Sequence, residues 1–313
     1  MSRFSIRATT AEGRITLPNA RERAPGSRRH RFAQLLLIPV CAVAVLVPLA
    51  GTAQAPATDP APQVWLGPDG APLPFESEDD VLEFLRTAEV VSRETTPDGI
   101  TRPEKLVLEA NGVRAHAIFR TFERELRRTR RPDGRYYVRW VDHHGGECAA
   151  YELAQRLGLG FVPPTVPRRL GSNDGNVQLW IEGDRDETEA GFRPRSPIAW
   201  MKQQWDMVLF DNLILNVDRN ATNTLVDPED KLWLIDHTRA FQPKGELLDA
   251  EKLQKINRVF WDRLQSMSDE DLKDVVREHV ALDQMVALVE RRALLAQRVQ
   301  ALVAEHGEGA VFY

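Results

Sequence analysis

A polar loop carrying Asp218 and Asn223, followed by a short hairpin that ends in Asp236, narrows the fold of this chain more than any other feature. The loop reads Asp218-Arg219-Asn220-Ala221-Thr222-Asn223, and the return reads Leu234-Ile235-Asp236-His237. Between them Pro228-Glu229-Asp230 is turn chemistry, so 224–226 and 232–235 read as two strands of a hairpin. An amide on the loop and an acid at the end of an apolar strand supply two oxygen ligands. Asn223 and Asp236 are of the type that holds Mg²⁺ or Mn²⁺, which take carboxylate, amide and phosphate oxygen. Asp218 is left to accept a proton from a hydroxyl. Metal to bridge phosphates and a base to orient a nucleophile are the parts that phosphoryl transfer needs. The plainer alternative is a surface ion pair at Asp218-Arg219 and a turn at Asn220 and Asn223.

The N-terminus has a different character. Eight arginines fall between Arg3 and Arg31, and residues 32–58 then carry no charge. Residues 35–50 are strongly apolar and Ala53-Gln54-Ala55 follows, the layout of an export signal with a cut after Ala55. The apolar run is short for a membrane span, and Pro39 and Pro48 interrupt it. Residues 1–55 therefore read as an export signal or, alternatively, an N-terminal anchor. Either way the remainder lies outside the membrane, periplasmic or extracellular, with membrane contact only through that segment. Residues 56–76 are rich in Pro and Ala and read as an extended linker.

The net charge of −5 argues against a nucleic-acid partner. Two cysteines, Cys41 and Cys148, exclude a disulfide framework. Ser77 before an acidic turn predicts a helix start. Asn111-Gly112 between alternating strands predicts a hairpin. Residues 124–135 are basic and polar and read as an exposed loop. Helical spacing over 147–157 stops at Gly158, residues 197–215 form another helix, and everything from 247 on is helical. Trp200, Trp205, Trp233 and Trp261 read as core. Strands first and helices second give an α+β, bilobal organisation: a strand-rich N-lobe over 77–182 and a helical C-lobe over 183–313.

The two segments DRNATN and LIDH together resemble the D-R-x-x-x-N plus I-D pair of the atypical kinases, the phosphatidylinositol 3-/4-kinase and HipA-type superfamily. LWLIDHTRAF is similar to the corresponding segment of secretory-pathway kinases that phosphorylate proteins and proteoglycan xylose. Upstream, KLVLEANGVRAHAIFR resembles their hairpin ending in a phosphate-binding Lys. Gly146-Glu147-Cys148-Ala149-Ala150-Tyr151 resembles their A-E-x-A-A-F helix, and Leu157-Gly158 with Val162-Pro163-Pro164 follows in the same order. The resemblance covers residues 90–241.

The resemblance implies a protein-kinase-like fold that binds ATP with Mg²⁺ or Mn²⁺. It makes Asp218 the catalytic Asp, Asn223 and Asp236 the metal ligands, and Glu147 the acid on the N-lobe helix. Gln178, Leu179, Trp180, Ile181 and Glu182 become the hinge that binds adenine, and 95–101 the loop over the phosphates. Arg120 stands where the family has its phosphate-binding Lys. Arg keeps the charge and still pairs with Glu147, but it is bulkier than an ammonium, and the swap is not conservative. Lys105, one strand earlier, is a less suited substitute. The expected activity is phosphotransfer to a hydroxyl of a protein, glycan or lipid. The alternative is an exported pseudokinase serving as a binding or scaffold protein. Arg120 and the scarcity of ATP outside a bacterial cytoplasm both favour it. AMP transfer is a third option.

Overall fold

The computed structural model describes residues 63–313 except 97–101, 131–133, 135 and 186–191. The predicted export signal and most of the predicted phosphate loop lie outside the described residues. Helix α1 (Glu78–Thr87) opens with the expected cap: Ser77 accepts from the Asp80 backbone, and the Asp80 side chain returns the bond. Its apolar face, Val81, Phe84 and Leu85, is buried.

A five-stranded antiparallel sheet follows. It is built from β1 (Glu89–Thr95), β2 (Glu104–Ala110), β3 (Val113–Arg120), β6 (Thr165–Leu170) and β7 (Asn173–Leu179), in the order β1-β2-β3-β7-β6. The β2–β3 turn is Asn111-Gly112, with both residues at positive φ, as a two-residue hairpin turn requires. Strand β6 carries Pro167, which the edge position tolerates.

Two elements branch from the sheet between β3 and β6. Strands β4 (Glu123–Arg130) and β5 (Tyr136–His143) form a separate hairpin. The basic stretch expected as a loop is thus largely strand: paired with β5, its exposed arginines need no alternating apolar partner. Helix α2 (Gly145–Leu157) follows and ends on Gly158 in the left-handed region.

The second half is helical around a small hairpin: α3 (Pro197–Ile214), β8 (Thr224–Val226), β9 (Leu232–Leu234), α4 (Arg258–Ser266), α5 (Asp269–Val276), α6 (Leu282–His306) and α7 (Glu308–Val311). Each half has its own apolar core. One lies under the sheet around Leu106, Leu108, Phe119 and Val177; the other joins α2 to α3, α4 and α6. The architecture is the expected α+β one.

Two details differ from the sequence reading. Residues before Ser77 are not all tether: Trp65 is only 8% exposed and packs against Trp233, ring centroids 5.4 Å apart. Trp205 on α3, expected in the core, is only half-buried. Among the described residues, no helix is long and apolar enough to cross a membrane.

Candidate active site

Helix α3 ends at Leu215, a buried residue in the left-handed region, and the chain turns into the 216–223 loop. Backbone and amide bonds shape that loop. Asn216 Oδ1 accepts from the Asp218 amide at 3.2 Å. The Asp218 carbonyl accepts from Asn220 Nδ2 at 2.9 Å and Asn223 Nδ2 at 3.0 Å. The Asp218 side chain is left 36% exposed.

Arg219 turns the other way. Its guanidinium pairs bidentately with Asp211, at 2.9 and 3.1 Å, and donates to the carbonyls of Asn223 and Ile235 at 2.5 and 3.0 Å. So the partner of Arg219 is Asp211, not Asp218.

The β8–β9 hairpin delivers Asp236 beside this loop, and the Ile235 amide donates to the Asn223 carbonyl at 3.1 Å. Asp236 has φ +55, and Leu215 and Phe241 are also at positive φ. Non-glycine residues held this way cost about 1–3 kcal/mol each and gather at functional sites. Burial pushes the Asp236 carboxyl up, and the nearby Glu147 charge adds to that. Thr238 Oγ1 donates to its Oδ1 at 3.1 Å. The donor set, one amide oxygen and one carboxylate, fits a divalent metal.

Glu147 faces this segment from above. It is fully buried in the first turn of α2. Its Oε1 accepts from the His237 amide at 3.0 Å, and Oε2 lies 3.2 Å from His237 Nδ1. The other ring nitrogen, Nε2, lies 3.0 Å from Arg219 Nη2. A guanidinium can only donate, so Nε2 accepts and the proton sits on Nδ1, donated to Glu147. Arg120, at the end of β3 and 7% exposed, brings Nε to 3.5 Å from Glu147 Oε1 and donates from Nη1 to Gln178 Oε1 at 3.2 Å. Burial alone would push the Glu147 carboxyl up; Arg120 and the His237 contacts outweigh it and hold it down at about 2.

Arg120, Gln178, Leu179, Trp180, Ile181, Asn223 and Asp236 all line one cavity of about 530 Å³. Ile118 and Leu225 add apolar walls, and Lys105 lines it too, with Nζ 4.1 Å from the Trp180 ring centroid. Glu147 lies beneath the lining rather than on it. Glu182 faces away: its carboxylate meets His116 Nδ1 at 2.5 Å, and it lines a neighbouring cavity. Asp218 is not part of the lining; its Oδ2 accepts from Arg239 Nη1 at 2.8 Å.

No family model matches the sequence, and no curated protein matches it. Solved structures do. Hydra Fam20 with sugar superposes with a TM-score of 0.59 at 16% identity, over 76% of this chain and 93% of that one. The Golgi casein kinase superposes with 0.53 at 14% identity, over 75% and 78%. The same kinase with Mn and ADP bound gives 0.51, also at 14% identity and over 75% and 78%. The fold is kinase-like. At these identities the likeness is one of fold.

Within the kinase-like fold, Arg120, Gln178, Leu179, Trp180, Ile181, Asn223 and Asp236 line one cavity as the sequence led one to expect, Glu147 lies beneath it, and Asp218 and Glu182 do not line it. Sequence reasoning missed three kinds of contributor. Ile118 and Leu225 are ordinary strand residues whose facing depends on register. Arg219 and His237 carry the internal brace. Arg239 reaches both Asp218 and Asp142, and the partner on β5 is 97 positions away in sequence.

Proposed function

We propose that the protein is an ATP-dependent phosphotransferase of the atypical kinase type, acting on a hydroxyl of a protein, glycan or lipid. The observation that carries this reading is the convergence of Arg120, Asn223, Asp236 and the 178–181 strand end on one cavity. A cavity of about 530 Å³ falls within the usual range for small-molecule sites. The fold likeness to a kinase whose structure holds Mn and ADP supports the choice of nucleotide and metal.

In this reading Ile118, Leu179 and Leu225 enclose the base, and the Trp180 carbonyl and Ile181 amide bond its edge, since the Leu179 and Trp180 amides already donate to the Pro164 and His116 carbonyls. Gln178 serves through Arg120, because its side chain is taken up by Arg120 and Thr165 Oγ1. Asn223 and Asp236 hold Mg²⁺ or Mn²⁺, which would neutralise phosphate charge. Asp218 accepts the proton of the acceptor hydroxyl. The acceptor oxygen then forms its bond to phosphorus, and the bond to the ADP oxygen breaks. Arg120 holds positive charge at the phosphate end, fixed there by Glu147. The catalytic domain is 77–313, in two lobes dividing near 182, and it is exported or anchored outside the membrane by 1–55.

A pseudokinase is the second reading. It is favoured by one observation: the Arg120 guanidinium is already engaged by Glu147 and Gln178. Melting the protein with and without ATP and Mn²⁺, alongside Asp236→Ala, separates these readings from an unrelated role. A ligand that binds only the folded state raises the melting temperature. A metal-dependent rise that disappears in Asp236→Ala supports nucleotide in this cleft. ATP turnover in the wild type then decides between kinase and pseudokinase. No rise at millimolar ATP rejects the kinase.

A further inference from the structure

Arg239 stands between two acids from opposite halves of the fold. Its Nη1 donates to Asp218 Oδ2 at 2.8 Å and its Nε to Asp142 Oδ2 at 2.9 Å, and its guanidinium carbon lies 5.4 Å from the Trp140 ring centroid. Asp142 is only 2% exposed, and its Oδ1 is buried with no protein partner.

The backbone around this contact is stitched together. His143 donates its amide to the Thr238 carbonyl at 2.8 Å. Gln242, fully buried, accepts from the Val141 amide at 3.0 Å and donates to the Val141 carbonyl at 2.6 Å. Arg239 is therefore built into the junction of β5 with the segment after Asp236. It differs from an exposed ion pair between two mobile side chains, which contributes about 0–1 kcal/mol.

A carboxylate that takes a proton must present one oxygen to the hydroxyl in a fixed direction. Misplacement by about 1 Å costs on the order of 10²-fold in rate. Arg239 occupies Oδ2 of Asp218 and so fixes the plane of the carboxylate, leaving Oδ1 to take the proton. Asp142 in turn fixes Arg239. We propose that Arg239 is the positioning residue of Asp218, with Asp142 as its anchor, so that β5 forms part of the catalytic apparatus. This rests on the phosphotransferase reading and adds to it a role for Arg239 and a strand, β5, that lies outside the motif.

The test uses the full chain, with water as the acceptor. ATP hydrolysis with Mn²⁺ gives kcat, and titration with Mn²⁺ and ADP gives nucleotide affinity. Arg239→Gln is expected to lower kcat by ~100-fold with ADP affinity within ~2-fold, because the arginine acts through Asp218 and not on nucleotide. Arg239→Lys, which keeps a charge and guards against simple misfolding, is expected to recover part of the loss, to within ~10-fold of wild type. Asp142→Asn is expected to lower kcat by ~10-fold, and adding it to Arg239→Gln should cost nothing more, since both break one chain of contacts.

Wild-type turnover with an Arg239→Gln kcat within twofold of it overturns the proposal alone. Full additivity of Asp142→Asn and Arg239→Gln does the same, as does a loss of ADP affinity equal to the loss of kcat. A wild-type chain that hydrolyses no ATP overturns the phosphotransferase reading, and this proposal with it.

Discussion

The Cβ that Gly146 lacks would lie 2.3 Å from the carbonyl oxygen of His237. No side chain fits there, and this bare contact lets the first turn of α2 approach the backbone that follows Asp236. Glu147, the next residue, can then accept the His237 amide. Gly146→Ala must push helix and loop apart. It is expected to destabilise the fold by about 1–3 kcal/mol, the usual cost of overpacking. Thermal unfolding with and without ADP and Mn²⁺ checks it: the melting point should fall, and the rise given by ligand should shrink.

Glu147 makes stability depend on pH in a defined direction. Its carboxyl titrates at about 2 in the folded protein, against an ordinary value of 4.5. A carboxyl held below its unfolded value stabilises the fold above that value, and the benefit is lost as pH falls from about 4.5 toward about 2. Urea unfolding between neutral pH and pH 3 should show this loss in the wild type. Glu147→Gln should flatten it. The same variant leaves the buried Arg120 without its counter-charge, which costs about 3–5 kcal/mol.

Arg120 is expected not to tolerate lysine. The Nε contact with Glu147 and the Nη1 bond to Gln178 use two separate points of one planar fork, and an ammonium at the end of a flexible stem does not reproduce it. Arg120→Lys should weaken binding of ADP with Mn²⁺ by ~10-fold, and Arg120→Met by ~100-fold together with a loss of stability. Calorimetric titration reads both. A gain of affinity in Arg120→Lys would mean that the arginine is a defect retained in a scaffold.

Asp236 and Asp218 should fail differently. Asp236→Asn is expected to abolish the metal-dependent rise in melting temperature. Asp218→Asn should keep that rise and lose ~10²–10⁴-fold in turnover, the range attributed to general-base catalysis. Melting and hydrolysis assays on the same preparations separate the two.

What the sequence reveals here is what neighbouring residues decide. Asn111-Gly112 needs only its own backbone to form a turn, Ser77 and Asp80 cap each other, and Gly158 ends α2 by its own left-handed φ. The Asp218-to-Asp236 segment is legible for the same reason: loop, hairpin and ligand types are consecutive.

Tertiary contacts hid the rest. Strand β6 reads as a polar stretch interrupted by proline. Its Arg168 finds its partners in the carbonyls of Leu85 and Ala88, at the end of α1. Strand β4 has no apolar alternation and becomes a strand through register with β5. Trp65 falls in a Pro-rich segment and gains its place only because Trp233 presents a ring to it.

Arg219 touches Asp211 at the end of α3, the Asn223 and Ile235 carbonyls, and the ring of His237. One cation thereby ties the loop of Asp218 to the hairpin of Asp236. Those two pieces cannot drift apart without stranding a charge. Loop and hairpin are thus held as one unit on the floor of the cleft.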